Sequence, residues 1–501
     1  MKLKGIFLCV IGLAVLGQDA KKLSLKEALQ AAVENNLDVK LEKINVDSRS
    51  ISLDLTRAGY EPSVSVETSH SEFDARPSNI FEGDADKTFT NKSDDLNLTF
   101  RKSEDFGLGY SVRLTNGRDD STSATSFGES YSSNLTLGFE QKLLKGFGFD
   151  PGVPRKDEYV AKGNLQISKL DLEVRMAQVL VDTENAYWDL VQAIDDLKVK
   201  ENSLKLAQQL YDQNKVKIEV GTLAPIELVS AEATVASREA DIVVAENRVK
   251  AAEDRLKKIL NLPPASWSQS IQPVDEPEFE LQQPGLQEAL DKALRNRAEM
   301  RRSDIQNDNA NLEYRYQKNN LLPELNLSGG YSWRGTSNPK FNMAGEVIEG
   351  SSLSDAYTQI TDRDLPGYNV ALNLVWTPFN KAAKLNLARA EVALKQREVE
   401  DAQLRLNILE EVRSALRELE SGAKSIVANE KARKFREENL KAEIQKFQNG
   451  LTTNFNVSQV QDELAQARSA EIASRIAYRK ALASYLKALG TLINERNIII
   501  P

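Results

Sequence analysis

The chain has 501 residues, 41% hydrophobic and 28% charged, with a net charge of −9 from 65 basic and 74 acidic residues. That balance supports a sizeable core and offers no basic face, which excludes a nucleic-acid partner. With His70 the sole histidine and Cys9 the sole cysteine, His-based triads, two-histidine metal sites and disulfides are excluded, and no cofactor is implied.

In chain order, MKLKGIFLCVIGLAVLGQDA opens with Lys2 and Lys4 ahead of an apolar run from Ile6 to Leu16. This reads as a secretory signal peptide over 1–17, cleaved after Gly17. A run of about 11 apolar residues is too short to span a bilayer. Cleavage removes two lysines, taking the charge from −9 to −11, and removes Cys9 too. No later stretch offers 18 consecutive apolar residues.

The rest is written twice. LSLKEALQAAVENN from Leu23 recurs as PGLQEALDKALRNR from Pro284, and YEPSVSVE (60–67) meets LLPELNLS (321–328), Pro62 falling on Pro323. LTLGFEQKLL (135–144) aligns with VALNLVWTPF (370–379), and Gly221 with Gly450. The reading is a first repeat over 18–261, a proline-bearing linker over 262–285, a second repeat over 286–489 and a tail over 490–501.

The first repeat opens with a helix over about 24–59, with Leu37, Leu41, Ile44, Ile51, Leu55 and Ala58 at heptad spacing. Period-2 runs follow near 62–70, 94–102, 107–115 and 133–143, with Leu96, Leu98, Phe100 and then Leu135, Leu137, Phe139 alternating against polar neighbours. A tight turn is expected at Ser103–Phe106. A helix over 156–219 carries two heptad seams, one through Leu172, Met176, Val179, Ala186 and Leu190, the other through Val174, Val181, Glu184, Trp188 and Val191. The seams sit about 150° apart at roughly 103° per residue. A helix with contacts on both flanks belongs in a bundle or in the wall of a cylinder. After the tip at Gly221 a helix covers 227–261.

The second repeat gives a helix over 286–320 and two strands, 323–334 and 366–377. Leu325, Leu327, Tyr331 and Trp333 alternate in the first, and Leu372, Leu374 and Trp376 in the second. Helices over 380–448 and 454–488 flank the tip at Gly450. The strand runs have the length of tilted transmembrane strands, and the stretches 74–93, 117–132 and 335–365 read as exposed loops. A soluble sandwich with one wet face alternates in the same way. GFGFDPG (146–152) lacks the lysine and Ser/Thr of a phosphate loop and reads as a strand-to-helix turn.

Taken together, the duplicated L-x-E-A-L opening, Pro62 and Pro323 at the helix-to-strand junctions, LLKGFG (143–148) with TPFN (377–380), and the tips VGTLAPIEL and NGLTTNFNV resemble the TolC-like outer-membrane efflux protein family over nearly the whole mature chain. The resemblance implies a mainly α fold with membrane β: a long-helix α-barrel in the periplasm and a transmembrane β-barrel in the outer membrane, both completed by trimerisation. It implies a non-enzymatic channel, the passive exit duct of a tripartite efflux or type I secretion system. The implied partners are two further copies, a periplasmic adaptor and an inner-membrane pump. The linker and the tail after Leu489 would form an equatorial belt.

The same resemblance implies twelve barrel strands, four per chain, with the extra hairpin near 94–115 an extension or loop, whereas six strands per chain would make eighteen. Two hairpin tips per chain would ring the periplasmic mouth. At the family's gate positions Asn456 and Gln459 replace two aspartates, Thr452 stands at the arginine position and Phe447 replaces a tyrosine, while Glu227 keeps an acid in the first repeat. A polar, hydrogen-bonded closure is thereby expected in place of an ion-pair lock. The competing expectation, from a different class, is a non-conducting periplasmic coiled-coil scaffold or stalk, which has no use for repeated strand pairs.

Overall fold

A computed structural model describes residues 21–84, 86–126, 128–147, 150–221, 224–280, 284–344 and 346–498; the expected signal peptide at 1–17 lies outside them. A short strand β1 (Lys21–Leu23) leads into α1 (Leu25–Asn35) and α2 (Leu37–Ala58). Four strands follow, β2 (Ser63–Ala75), β3 (Phe89–Ser103), β4 (Leu108–Ser121) and β5 (Ser130–Lys142). The long helix α3 (Lys156–Glu219) and its return α4 (Ile226–Ile259) close the first repeat, and β6 (Ile271–Pro273) lies in the linker. The second repeat gives α5 (Leu286–Asn296), α6 (Ala298–Asn319), β7 (Glu324–Ser337), β8 (Lys340–Phe341), β9 (Val347–Glu349), α7 (Leu353–Asp362) and β10 (Leu365–Val375). Then come α8 (Lys381–Gln448), α9 (Asn454–Ala488) and, in the tail, α10 (Leu492–Glu495).

Two features depart from the sequence expectation at the helices. The regions expected as single helices at 24–59 and 286–320 are each broken after 11 residues. At the first break Asn36 leaves helical geometry (ψ 134°), and its side-chain oxygen accepts from the amide of Asp38 at 2.9 Å, capping α2. At the second, Arg297 is extended (ψ 129°), buried, and paired with Glu299 at 2.7 Å and with Glu411. Heptad periodicity runs through both breaks, because one non-helical residue barely displaces the apolar stripe.

The chain forms two interleaved compact units, each drawing segments from both repeats. The first holds residues 1–46, 168–302 and 401–501. Its two larger core clusters lie away from the helix tips. In one, Met176, Leu180, Tyr187, Trp188 and Leu190 of α3 pack with Ala28 and Leu29 of α1, Leu256 of α4 and Leu492 of α10. In the other, Ile408, Val412 and Leu419 of α8 pack with Ala289 and Ala293 of α5 and with Tyr478, Leu482 and Tyr485 of α9. Both predicted seams of α3 are buried over this span, Met176, Thr183, Ala186 and Leu190 on one and Glu184 and Trp188 on the other.

The linker is tied into the same unit. β6 pairs in parallel with β1, Ile271 opposite Lys21. The buried Tyr187 hydroxyl donates to Asp275 at 2.6 Å and accepts from the amide of Val274 at 3.2 Å. Asp275 in turn accepts from the amide of Leu25 at 2.7 Å, satisfying an orphan donor at the start of α1. Burial, reinforced by Asp275, pushes the Tyr187 phenol well above its ordinary range. In the tail, Arg496 donates to the buried Glu184 at 2.5 Å.

The second unit, residues 47–167 and 303–400, is built on one antiparallel sheet of six strands in the order β10-β7-β5-β4-β3-β2. This corrects the four-strand expectation. β3 and β4 occupy the middle of the sheet, paired on both sides, and are neither an extension nor a loop. The expected turn joins them, with the amide of Gly107 donating to Glu104 at 3.1 Å. The strands also run on into 74–75, 89–93 and 117–121, and α7 occupies part of 335–365, where loops were expected. Apolar alternation stops there, but the backbone ladder continues with mostly polar side chains, the Ala75–Phe89 pair excepted.

Candidate functional site

Two places concentrate exposed chemistry that the core does not explain: the faces of the sheet in the second unit, and the helix tips of the first.

The sheet register separates two faces. Val66, Leu98, Leu114, Leu135 and Trp333 oppose one another in a continuous row across β2, β3, β4, β5 and β7. Beside it runs Val64, Phe100, Val112, Leu137, Tyr331 and Tyr368, now reaching β10. Gly329 faces Val370, Leu327 faces Leu372 and Leu325 faces Leu374 on the same side, while Leu96 and Phe139 extend it on β3 and β5. Most of these side chains, with Trp376 just past β10, are exposed in the single chain.

The opposite face is polar along the middle of the strands, carrying Glu67, Asn97, Thr99, Arg113, Thr115, Thr136, Ser328 and Asn373, with apolar exceptions at Phe73, Phe89 and along β10 at Leu365, Ala371 and Val375. An apolar exterior and a polar interior with a dyad period are what a lipid-spanning barrel wall requires. β7 carries apolar positions from Leu325 to Trp333, nine residues, which at about 3.4 Å each and a tilt near 40° cover about 23 Å. That matches an outer-membrane hydrocarbon band.

Beyond the apolar rows the same face turns polar. His70, Asp94 and Arg118 lie in the next row but one, with His70 Nδ1 2.6 Å and Arg118 Nη1 3.1 Å from Asp94. α7 packs on this rim against β7 and β5. The contact depends on Gly335, where an added Cβ would lie 1.8 Å from the carbonyl oxygen of Ala356. Pro62 and Pro323 sit at the other end, immediately before β2 and β7 begin. Proline there sets an extended entry and ends α2 and α6.

At the tips, α3 turns back into α4 and α8 into α9. Gly221 (φ 75°) and Gly450 (φ 72°) both adopt the left-handed conformation, open on all sides. That is the backbone demand of a tight helix end and the reason for glycine at both. The two tips are otherwise unlike. Thr453 caps α9, its side chain accepting from the amide of Asn456 at 3.4 Å, whereas Pro225 starts α4 with no side-chain cap.

The structure draws most of the second-tip candidates into one network. Phe447 is buried with Leu210 and Val457, and Lys217 from the first hairpin lies 3.9 Å from its ring centroid and donates to its carbonyl at 3.2 Å. Thr452 donates to Glu443 at 2.5 Å, Asn456 donates to Thr452 at 3.0 Å, and Lys446 reaches Glu443 at 3.1 Å. The Thr452 hydroxyl, with Lys446 beside it, holds the Glu443 carboxyl below its ordinary range. Gln459 stands apart, donating to Glu463 at 3.4 Å. Glu227 is half-buried on the first turn of α4, and no side-chain partner is seen for it among the described residues.

Sequence reasoning missed Glu443, the acid on which the second tip is hung. The available signal was its place one helical turn before Phe447, on the same face as Lys446 and within reach of Thr452 once the chain turns. It also missed the ties farther up the hairpins. Arg238 on α4 pairs with Asp462 on α9, Lys200 on α3 lies 3.2 Å from Asp241, and Arg436 lies 2.5 Å from Glu463.

Against known proteins, the chain matches the model of the family described as outer membrane efflux protein over residues 105–262 and 289–491. No curated protein matches it significantly. Among solved structures it is similar to the outer-membrane channel OprN, at 15% identity and TM-score 0.66, covering 93% of this chain and 90% of that one. It is similar also to the Campylobacter jejuni CmeC outer membrane channel, at 15% identity and TM-score 0.65, with 95% and 89% covered. For CusC the identity is 18% and the TM-score 0.65, with 95% of both chains covered.

Proposed function

The chain belongs to the outer membrane efflux protein family and is an outer-membrane efflux channel, and from that premise we propose that it is the passive exit duct of a three-part export assembly, working as a homotrimer. The observation that carries this reading is the open six-stranded sheet, apolar in its central rows on one face, mainly polar on the other and, among the described residues, unpaired at both edges. Unpaired backbone is costly in hydrocarbon, so such a sheet is complete only when further copies close it.

The helices support the same reading. Leu37, Leu41, Ile44, Ile51 and Leu55 of α2 are exposed in the single chain, as are Leu385, Val392, Val399 and Leu406 of α8 at strict seven-residue spacing. Apolar stripes of that period are made for a neighbouring helix. A periplasmic adaptor meets the helical tips and an inner-membrane pump loads the duct. The linker up to 280 and the tail over 490–498 form a belt around the helices, anchored through Tyr187–Asp275 and Glu184–Arg496.

Six tips in a trimer close the periplasmic mouth. Glu443–Thr452–Asn456 stiffens the second tip, and Glu227 supplies the acid that faces the opening. Three Glu227 carboxylates around one axis repel one another and favour cations in the pore. Single-channel recording tests this assignment: Glu227→Gln reduces cation preference and Asn456→Asp increases it. If neither variant alters conductance or selectivity, these residues only pack the tips and the gate lies elsewhere.

A further inference from the structure

We propose that the β3–β4 hairpin is a pair of lipid-spanning barrel strands, so that three copies close an eighteen-stranded pore of porin width instead of a twelve-stranded one. This rests on the trimeric-duct reading above. The internal repeat singles out the hairpin. β2 aligns with β7 and β5 with β10, each flanked by the same helices, whereas β3 and β4 have no counterpart from the second repeat in this sheet, the short β8–β9 pair between β7 and β10 standing apart from it.

Their place in the sheet decides what they do. A hairpin on an edge is free to peel away from the membrane, but β3 and β4 lie between β2 and β5 with unbroken pairing on both sides. Leu98 and Leu114 stand in the same row as Leu135 and Trp333. Lipid that bathes β5 and β7 at that height therefore bathes β3 and β4. Six strands are too few to close alone, since the smallest transmembrane barrels have eight. The edges left over are β2 and β10, of 13 and 11 residues, antiparallel in sense and close in length. The occupant of each edge is the opposite edge of a second copy, and the strand total is a multiple of six.

Barrel diameter grows roughly in proportion to strand number, so eighteen strands give a bore about one and a half times that of twelve. Barrels of 16–18 strands enclose an aqueous channel. The face that would line it mixes both charge signs with amides and hydroxyls, as at Glu67, Asn97, Arg113 and Thr115. Such an exit suits bulky, hydrated cargo and leaves size selection to the helical tips.

The mature chain has no cysteine, so single cysteines test the proposal in the intact outer-membrane protein. Asn97→Cys and Arg113→Cys are expected to react with a water-soluble maleimide, and Leu98→Cys and Val112→Cys to lose that reactivity to lipid. Equal labelling at all four positions in a conducting trimer overturns the eighteen-stranded pore and leaves the duct reading standing. A native mass of two chains gives twelve strands and overturns it as well. A protein that neither reaches the outer membrane nor conducts overturns the duct reading itself. As a second readout, deletion of 89–121 is expected to lower the size cut-off for polymers entering from the barrel side. An unchanged cut-off in an assembled deletion variant contradicts the proposal, and if that variant fails to assemble the labelling pattern decides.

Discussion

Thr452 holds the second tip together through one hydroxyl, donating to Glu443 while accepting from Asn456. Thr452→Val keeps the shape and removes both bonds, so Leu451 next to it is expected to become more mobile, as read by a probe on Leu451→Cys. The pH dependence follows from the same contact. A carboxylate held below its ordinary range, as Glu443 is, contributes stability above its unfolded pKa, near 4.3, and loses it as pH falls through the lower folded value. The wild-type tip is therefore expected to stay ordered from neutral pH into mild acid and to loosen below the ordinary glutamate range. Thr452→Val brings that loosening to higher pH. A probe response identical in the two proteins at every pH contradicts the role given to this network.

At the scale of elements, α2 and α8 carry apolar stripes that stay exposed among the described residues of the single chain. Burying one leucine contributes about 1.5–3 kcal/mol, so Leu41→Asp with Leu55→Asp removes roughly 3–6 kcal/mol per chain from the proposed contact between copies. Both side chains are more than half exposed in the single chain, at 57% and 68%. The expected result is loss of the oligomer with helix content retained, read by native mass and circular dichroism. The same stripes explain what the sequence revealed. Period 3.5 over dozens of residues placed α3, α4, α8 and α9 to within a residue or two, because nothing local competes with it. The breaks at Asn36 and Arg297 were hidden since each costs one residue and is stabilised by partners distant in sequence, such as Glu411. Alternation also found all six strands of the sheet. What it did not supply was that β3 and β4 are central, because strand order is set by pairing and not by any strand's own pattern. α7 was missed for a related reason: its seat on β7 depends on the missing side chain of Gly335.

At the scale of the molecule, two interleaved units built from a duplicated sequence each leave surfaces that one chain cannot satisfy: apolar helix stripes, and two bare strand edges beside an apolar face. Under the proposed homotrimer both are satisfied by copies of the same chain arranged around an axis. Among the described residues no helix is long and apolar enough to cross a bilayer, and the sheet carries that task. The tips were legible as a pair of glycines in matching places, but their internal chemistry was not. Glu443 becomes part of the site only when the turn at Gly450 folds Thr452 back onto α8. Planar-bilayer recording of the oligomer extracted from the outer-membrane fraction tests the central claim most directly. The account predicts discrete ion-conducting steps from a heat-resistant assembly of three chains, and recovery of a soluble, non-conducting monomer from the periplasm would contradict it.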